Sequence, residues 1–469
     1  MVFSSVLFVV FIIAVFLIYW GIPHKFRYPF ILLANFVFYA SFGTRSLSIL
    51  ICVILATYLI GIALEKESKK SGVVLCFVAL TLPLLIFKYL EFGLRIVEKA
   101  LAKVSIPFSD STLKLIVPVG ISFFTFEAIS YVADVYKGKI KAERNLFKLA
   151  TFITFFPTIT SGPIERAGNF LPQFDSEKTF DYDEATYGMR LMLLGFVKKI
   201  VMADYLALFV DSVFSRVYFF RGPVFIVAVI LYTFEIYLDF SGYTDIARGA
   251  AKILGFNISE NFKSPYLSGS VKEFWAHWHI SLSSWLKDYI YIPLGGNRKG
   301  KTRKLVNLMV TFLVSGIWHG ANFTFIVWGI LHGAYQCVQE MIKDKVKIKF
   351  PNIINTIVTF ALVAFAWMFF RANALSDVVF ILRNSFNPDN FIGYMLAMGF
   401  LTTWSYISVI LIIAVTIIYD IFNDKGDVIA SFGKLPIVLR WVIYILAITL
   451  VVLMKAHIGN SAEFIYFSF

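Results

Sequence analysis

Ionisable side chains concentrate in one stretch of this sequence, from about residue 232 to 333, between strongly apolar segments. Four of the six histidines lie there. One of them, His319, has Ser315 one helical turn before it and Asn322 shortly after it. A neutral imidazole, with an ordinary pKa of about 6.5, can take the proton of a hydroxyl that attacks an acyl carbon. His319 is therefore the candidate general base, and the alternative is a packed histidine at a helix end.

Two more histidines, His277 and His279, stand two residues apart. On a regular helix their side chains would point to nearly opposite faces, so they could not hold one metal ion from such a helix. No third ligand is evident, and we expect no metal site. One of the two could face a cavity while the other caps a helix or packs, and the residues alone leave open which. The neighbouring Trp275, Trp278 and Trp285 fit an aromatic belt at a membrane interface.

Two carboxylates, Glu235 and Asp239, share one helical face at spacing i, i+4. They could act as acid and base, or hold a proton together. The simpler interpretation is a buried polar network with Arg248 or another cation. Lys198 and Lys199 interrupt an apolar helix; they could meet the phosphates of a donor, but snorkelling to lipid head groups is the simpler account.

The elements that must position these groups are membrane helices. Of the 469 residues, 59% are hydrophobic and 16% charged, and long apolar runs recur from end to end. Lipid leaves helices or closed barrels as spanning structures, and continuous apolar runs favour helices. We predict an all-α polytopic membrane protein, a single domain over residues 1–469, with about eleven transmembrane helices plus re-entrant or amphipathic segments. The candidate spans are about 3–21, 28–43, 46–64, 73–92, 114–133, 147–164, 187–214, 223–254, 305–318, 323–341, 354–370, 401–422 and 439–456.

The net charge of +13 comes from Lys and Arg in short loops, for example residues 298–304. This distribution fits the positive-inside rule and anionic lipid head groups, and argues against nucleic acid as a partner. If Lys25 and Arg27 are cytoplasmic, Met1 lies outside and the basic loop 66–70 lies inside, which is consistent. The three cysteines are too few and too scattered for a disulfide framework.

The C-terminal tail, residues 460–469, ends in the uncharged aromatic run Phe-Ile-Tyr-Phe-Ser-Phe. Such a run is disfavoured in water and should insert into membrane or into a protein groove. The hydroxyl of Tyr466 could accept an acyl group. The alternative is an aromatic anchor at the membrane interface.

Several motifs occur in order along most of the chain and resemble the membrane-bound O-acyltransferase (MBOAT) superfamily. The resemblance is to its bacterial branch of alginate and peptidoglycan O-acetyltransferases and the teichoic acid D-alanyl transfer protein. The motifs are FPTITSGPIER (156–166), YLDFSGYTD (237–245), FWAHWHISLSSWLKDY (274–289), YIPLGG (291–296), SGIWHG (315–320) and the FxYF ending (464–467).

This resemblance implies a helical fold around a central tunnel that links a cytoplasmic acyl donor to an extracytoplasmic acceptor. It implies that His319 is the catalytic histidine and that His279 is the second histidine of the family. It also implies that Tyr466 is a transient acyl carrier. The tail departs from the family pattern at Ser468, where glutamine is common, which slightly weakens the last assignment.

Together these inferences predict an O-acyltransferase in the bacterial cytoplasmic membrane. It would move an acetyl group from acetyl-CoA, a substrate rather than a resident cofactor, toward a polysaccharide such as peptidoglycan or alginate. The chain offers no soluble domain to grip a polymer, so we expect a separate extracytoplasmic O-acetyltransferase as partner.

Three alternatives remain open at this point. D-alanyl transfer to teichoic acid is the main one, although in that system the aromatic tail motif belongs, by family resemblance, to a separate small protein. A transporter would predict paired broken helices, a symmetry that the sequence does not show. A membrane scaffold would tolerate the loss of both His279 and His319.

Overall fold

A computed structural model describes residues 1–66, 70–103, 117–343, 351–387, 394, 403–459 and 464–465. These residues form helices and no β-strand, apart from one isolated bridge between Phe262 and Trp278. The all-α class predicted from the sequence is therefore confirmed.

The α-helices of the described chain are numbered in chain order. They are α1 (Val6–Gly21), α2 (His24–Ala40), α3 (Thr44–Lys66), α4 (Lys70–Leu84), α5 (Leu90–Lys103), α6 (Ile121–Tyr136), α7 (Leu146–Thr154), α8 (Ala167–Phe170), α9 (Tyr182–Phe196), α10 (Asp204–Phe214), α11 (Val224–Ile253), α12 (Val271–His277), α13 (Ile280–Leu286), α14 (Gly300–His319), α15 (Phe323–Ile342), α16 (Asn352–Arg371), α17 (Leu375–Asn384), α18 (Thr403–Lys425), α19 (Val428–Gly433) and α20 (Ile437–Ile458). Segments with π-helical hydrogen bonding are Leu85–Tyr89, Val197–Ala203 and Lys287–Tyr291.

Within the described ranges, six helices are long and apolar enough to cross a membrane. They are Thr44–Glu65, Phe77–Glu98, Val224–Ile253, Asn352–Arg371, Ser405–Lys425 and Ile437–Ile458. Helix α1 is a shorter apolar helix. The chain is thus a multi-pass membrane protein, and the number of about eleven crossings stays a prediction.

The span expected over residues 147–164 is wrong as a continuous helix. Helix α7 ends at Thr154, and the following residues form turns up to Gly162. Pro157 and Pro163 cannot donate a backbone hydrogen bond, which prevents the helix from continuing. A Cβ at Gly162 would lie 2.4 Å from the carbonyl oxygen of Pro157, so the turn requires glycine there.

The chain divides into two compact units. Unit 1 contains residues 1–188 and 247–259, and unit 2 contains residues 189–246 and 260–469. In unit 1, the Glu165 carboxylate accepts a hydrogen bond from the Ser259 amide at 2.7 Å. All the candidate site residues belong to unit 2. The single domain expected over the whole chain stays a prediction.

In unit 2, helices α14 and α15 pack with their backbones in close approach. A Cβ at Gly316 would lie 2.4 Å from the carbonyl oxygen of Phe325, and one at Gly329 would lie 2.5 Å from that of Phe312. Paired small residues allow this approach between membrane helices. Because α14 ends at His319, the contact fixes the depth at which the candidate base enters the core.

We expect Gly316→Ala to lower the stability of the protein by about 1–3 kcal/mol, because the added methyl group would force α14 away from α15. The thermal unfolding midpoint in detergent micelles measures this change. Gly93→Ala is the matched control, since a Cβ there meets no atom within 4 Å. Equal midpoints for the two variants would contradict the close contact.

Candidate active site

His319, at the C-terminal end of α14, is enclosed by aromatic side chains. It is 4% exposed. The centroid of its ring lies 4.9 Å from that of Trp318, 4.9 Å from that of Trp328 and 5.0 Å from that of Phe370. Helices α14, α15 and α16 supply these rings. Their edges and faces hold the imidazole in one position, as a catalytic base requires.

His279 lies near His319 and shares a neighbour with it. Its ring meets Phe240 edge-on at 4.7 Å between centroids, and lies 6.3 Å from the centroid of Trp318. The indole of Trp318 therefore contacts both histidines. The two histidines, 40 residues apart in the chain, thus share one aromatic neighbour.

The chain does not form a regular helix through His277 and His279. Helix α12 ends at His277, and His279 precedes α13 with a left-handed backbone at φ 44°. Such a conformation is uncommon outside glycine and concentrates at functional sites. His279 is fully buried, and this burial lowers its pKa to about 3. It is therefore neutral at physiological pH and offers one donor and one acceptor.

The three tryptophans of this region form part of the core. Trp275, Trp278 and Trp285 are all buried, so their assignment to an interfacial belt is wrong. Trp275 donates a hydrogen bond from its indole Nε1 to Nδ1 of His332 at 3.1 Å. His332 was not selected from the sequence. The available signal was an ionisable side chain within the apolar helix α15, which is costly in a membrane.

Two polar residues near His319 differ in role. Ser315, one turn earlier, is fully buried, and its Oγ has no hydrogen-bond partner within the described chain. Asn322 caps α15 by accepting from the Thr324 amide at 3.2 Å, and its Nδ2 donates to the carbonyl of Asn373 at 2.7 Å. Asn322 therefore anchors the start of α15, while Ser315 stays available to a ligand.

Asp239 belongs to a buried ionic cluster. The Lys199 ammonium lies 2.6 Å from Asp239 and 2.8 Å from Asp204, and all three side chains are buried. The polar-network interpretation is thus confirmed for Asp239, with Lys199 as the cation instead of Arg248. Glu235, one turn earlier on α11, is buried, and its Oε2 has no hydrogen-bond partner in the part of the chain that the structure covers.

The neighbouring Lys198 forms a second buried ion pair. Its ammonium lies 2.7 Å from Asp245 and 4.7 Å from the ring centroid of Tyr419. Both lysines lie on the π-helical segment Val197–Ala203, a local widening that is often found at functional sites. The snorkelling expected for Lys198 and Lys199 is therefore wrong, because both ammonium groups point to carboxylates inside the protein.

Two residues of the C-terminal tail, Phe464 and Ile465, contact helix α11. The Ile465 amide donates to Asp239 Oδ2 at 2.9 Å, and the buried ring of Phe464 stacks on Tyr243 at 4.3 Å. Phe464 is also 5.8 Å from Phe240, the ring that contacts His279. The expected insertion into a protein groove is confirmed for Phe464. Tyr466 lies outside the described residues.

A cavity of about 880 Å³ opens in unit 2. Basic side chains dominate its charged lining: Lys272, Lys287, Arg298, Lys304 and Lys343. The single acidic residue of this lining, Glu340, forms ion pairs with Lys304 and Lys343 at 2.6 Å each. The cavity therefore has a net positive lining suited to phosphate groups.

The inner wall of the cavity is aromatic. Trp275 and Phe312 line it, and their ring centroids lie 5.0 and 6.2 Å from that of His332. His332 in turn lies 4.8 Å from Trp328, the ring that contacts His319. His319 is not part of the cavity lining. The continuous tunnel implied by the sequence resemblance stays a prediction.

A family model and several similar proteins all indicate the same kind of enzyme. The model of the MBOAT, membrane-bound O-acyltransferase family matches residues 142–376. The chain is 38% identical over 388 residues to a probable alginate O-acetylase of Pseudomonas syringae pv. tomato, covering 80% of this chain and 73% of that protein. It is 31% identical over 389 residues to a peptidoglycan O-acetyltransferase of Helicobacter pylori, covering 75% and 72%. It is 30% identical over 222 residues to a teichoic acid D-alanyltransferase of Bacillus subtilis, covering 43% and 53%.

We expect Lys199→Met to destabilise the protein by about 3–5 kcal/mol, because it leaves Asp204 and Asp239 buried without their cation. Unfolding in detergent micelles, followed by tryptophan fluorescence, measures the change. Neutralising both carboxylates as well, in Lys199→Met/Asp204→Asn/Asp239→Asn, should restore part of the loss. The exposed Lys434→Met is the matched control. No difference between Lys199→Met and this control would refute the buried cluster.

Proposed function

The chain belongs to the membrane-bound O-acyltransferase family, and from this premise we propose that it carries acetyl groups from cytoplasmic acetyl-CoA across the bacterial cytoplasmic membrane, for O-acetylation of a cell-envelope or secreted polysaccharide. The observation that carries the proposal is that the buried imidazoles of His319 and His279 share Trp318 as a neighbour. Ring contacts through Trp328 and Trp275 also link His319 to a cavity with a basic lining. Relatives named for alginate and for peptidoglycan acetylation support both the acetyl group and the polysaccharide.

The cavity supports a donor that carries phosphates. Its cations include Arg298 and Lys304 of the basic stretch 298–304 at the start of α14, which the positive-inside rule assigns to the cytoplasm. Coenzyme A has phosphates at one end and its thioester at the other. With the phosphates held by the basic lining, the thioester would point to the aromatic wall of Trp275 and Phe312, toward the side on which His319 lies.

The chemistry assigned to His319 is general-base catalysis. A hydroxyl oxygen bonds to the thioester carbonyl carbon while His319 takes its proton. The carbonyl electron pair moves onto oxygen, which gives a tetrahedral oxyanion. When this intermediate collapses, the C–S bond breaks and the leaving thiolate takes the proton from the imidazolium. The neutral imidazole of His279 would orient the acceptor or the donor through one hydrogen bond.

The position of Phe464 and Ile465 supports Tyr466 as the first acceptor. Phe464 and Ile465 are held against α11 by Tyr243 and Asp239, next to the ring of Phe240 that contacts His279. Tyr466 follows Ile465 directly in the sequence. An acetyl ester on its phenol would be a covalent intermediate that divides the transfer into two steps. A separate extracytoplasmic O-acetyltransferase would then pass the group to sugar hydroxyls.

His319→Ala should abolish polysaccharide acetylation, because general-base catalysis is typically worth about 10²–10⁴-fold. Mass spectrometry of envelope sugars from cells that carry only the variant gives the degree of acetylation, and immunoblotting confirms equal protein amounts. His277→Ala is the matched control, since His277 lies on α12 and is partly exposed. Retained acetylation in His319→Ala would remove the catalytic assignment, and sugars that carry D-alanine instead of acetate would change the proposed substrate.

Tyr466→Phe should prevent formation of an acetylated enzyme, because the variant lacks the accepting hydroxyl. Intact-mass analysis after incubation with acetyl-CoA detects the adduct in the unmodified chain. Tyr243→Phe is a control that keeps an aromatic ring under Phe464 while removing a different hydroxyl. A Tyr466→Phe variant that still forms the adduct and acetylates normally would show that the relay residue is wrong.

A further inference from the structure

His332 is held in a single tautomer by its partner. The indole of Trp275 can only donate, and it donates to Nδ1 of His332 at 3.1 Å. Nδ1 must therefore be the acceptor nitrogen. A neutral His332 then carries its proton on Nε2, and this N–H is a fixed hydrogen-bond donor.

The Nε2–H of His332 has no acceptor within the described chain, although the side chain is completely buried. Native proteins leave few buried polar atoms unsatisfied, and each such atom calls for an explanation. Nearby, the indole Nε1 of Trp328 is also buried without a hydrogen-bond partner among the described residues. The indole Nε1 of Trp367, whose ring contacts both Trp328 and His332, is a third such N–H donor in the aromatic layer next to His319.

The position of His332 suggests what these donors meet. On one side it contacts Trp275 and Phe312, which line the basic cavity. On the other side it contacts Trp328, whose ring lies 4.9 Å from that of His319. A thioester that moved from the cavity toward His319 along this chain of ring contacts would pass His332. The only strong acceptor on its acyl group is the carbonyl oxygen.

We propose that His332 donates its Nε2–H to the carbonyl oxygen of the donor thioester, with Trp275 fixing the required tautomer. This inference rests on the proposed function. When the acceptor hydroxyl attacks, the carbonyl electron pair moves to this oxygen and its charge grows, so the hydrogen bond strengthens in the transition state. Trp275 acts through His332 and is a positioning residue.

Purified protein and acetyl-CoA provide the test, with release of free thiol in a single turnover as the readout. His332→Phe keeps an aromatic ring in place but has no N–H donor. We expect it to lower the rate constant at saturating acetyl-CoA by about 10²–10³-fold, with little change in the concentration that gives half the maximal rate. Because Phe also leaves the Trp275 indole without an acceptor, His332→Met serves as a second variant without an N–H donor.

His332→Gln is the matched conservative variant. Its amide offers both an acceptor for Trp275 and a donor, so it should recover much of the rate that His332→Phe loses. A merely structural role would not predict this rescue at equal thermal stability. Trp275→Phe should lower the rate less than His332→Phe, because it frees the tautomer without removing the donor.

The outcomes distinguish a wrong assignment of His332 from a wrong proposed function. If His319→Ala is inactive while His332→Phe and His332→Met match the unmodified chain, the assignment of His332 is wrong and the proposed function stands. Loss of activity in His332→Gln equal to that in His332→Phe would also overturn the assignment. If the unmodified chain releases no thiol from acetyl-CoA, or if His319→Ala retains the rate, the proposed function falls and the role of His332 falls with it.

Discussion

The pairing of charges away from water is the constraint on which the unit 2 core depends. Helix α11 carries Asp239 and Asp245 inside the protein, and unpaired carboxylates there would cost several kcal/mol each. Lys199 and Lys198 compensate them from adjacent positions on one π-helical segment. The ion pairs thereby fix the helix whose Phe240 contacts His279.

Several polar atoms around His319, unlike Asp239 and Asp245 on α11, are buried without a partner in the part of the chain that the structure describes. Ser315 Oγ, Trp328 Nε1 and His332 Nε2 are buried without hydrogen-bond partners within the described ranges. The carboxylates of the ionic cluster, by contrast, face the ammonium groups of Lys198 and Lys199. Buried polar atoms usually find a partner. A bound carbonyl or hydroxyl would supply one in the aromatic layer near His319.

Periodicity and composition were sufficient to predict an all-helical, multi-pass membrane chain and to select His319 and Asp239, whereas His279 was selected only through the family motif around it. They could not reveal His332, because its importance comes from Trp275, which is 57 residues away in the chain. They also gave the wrong position for the Lys198 ammonium group. A lysine in an apolar helix is expected to snorkel to the head groups unless its carboxylate partner on another helix is known. The break between α12 and α13 was equally hidden, because neither proline nor glycine marks it in the sequence.

The aromatic wall fits one requirement of the proposed reaction, which is that the membrane stays closed to water and ions. A chain that serves a cytoplasmic donor and an extracytoplasmic acceptor must not leave an open aqueous path between them, because ions and protons would leak through it. Trp275, Phe312 and Trp328 form a chain of ring contacts that leads from the cavity lining to His319. In the proposed reaction the thioester itself must reach His319, because its C–S bond breaks only there, so rings of this layer would have to move to admit it. A layer of side chains that opens only for the donor would keep the two aqueous phases apart during each catalytic cycle.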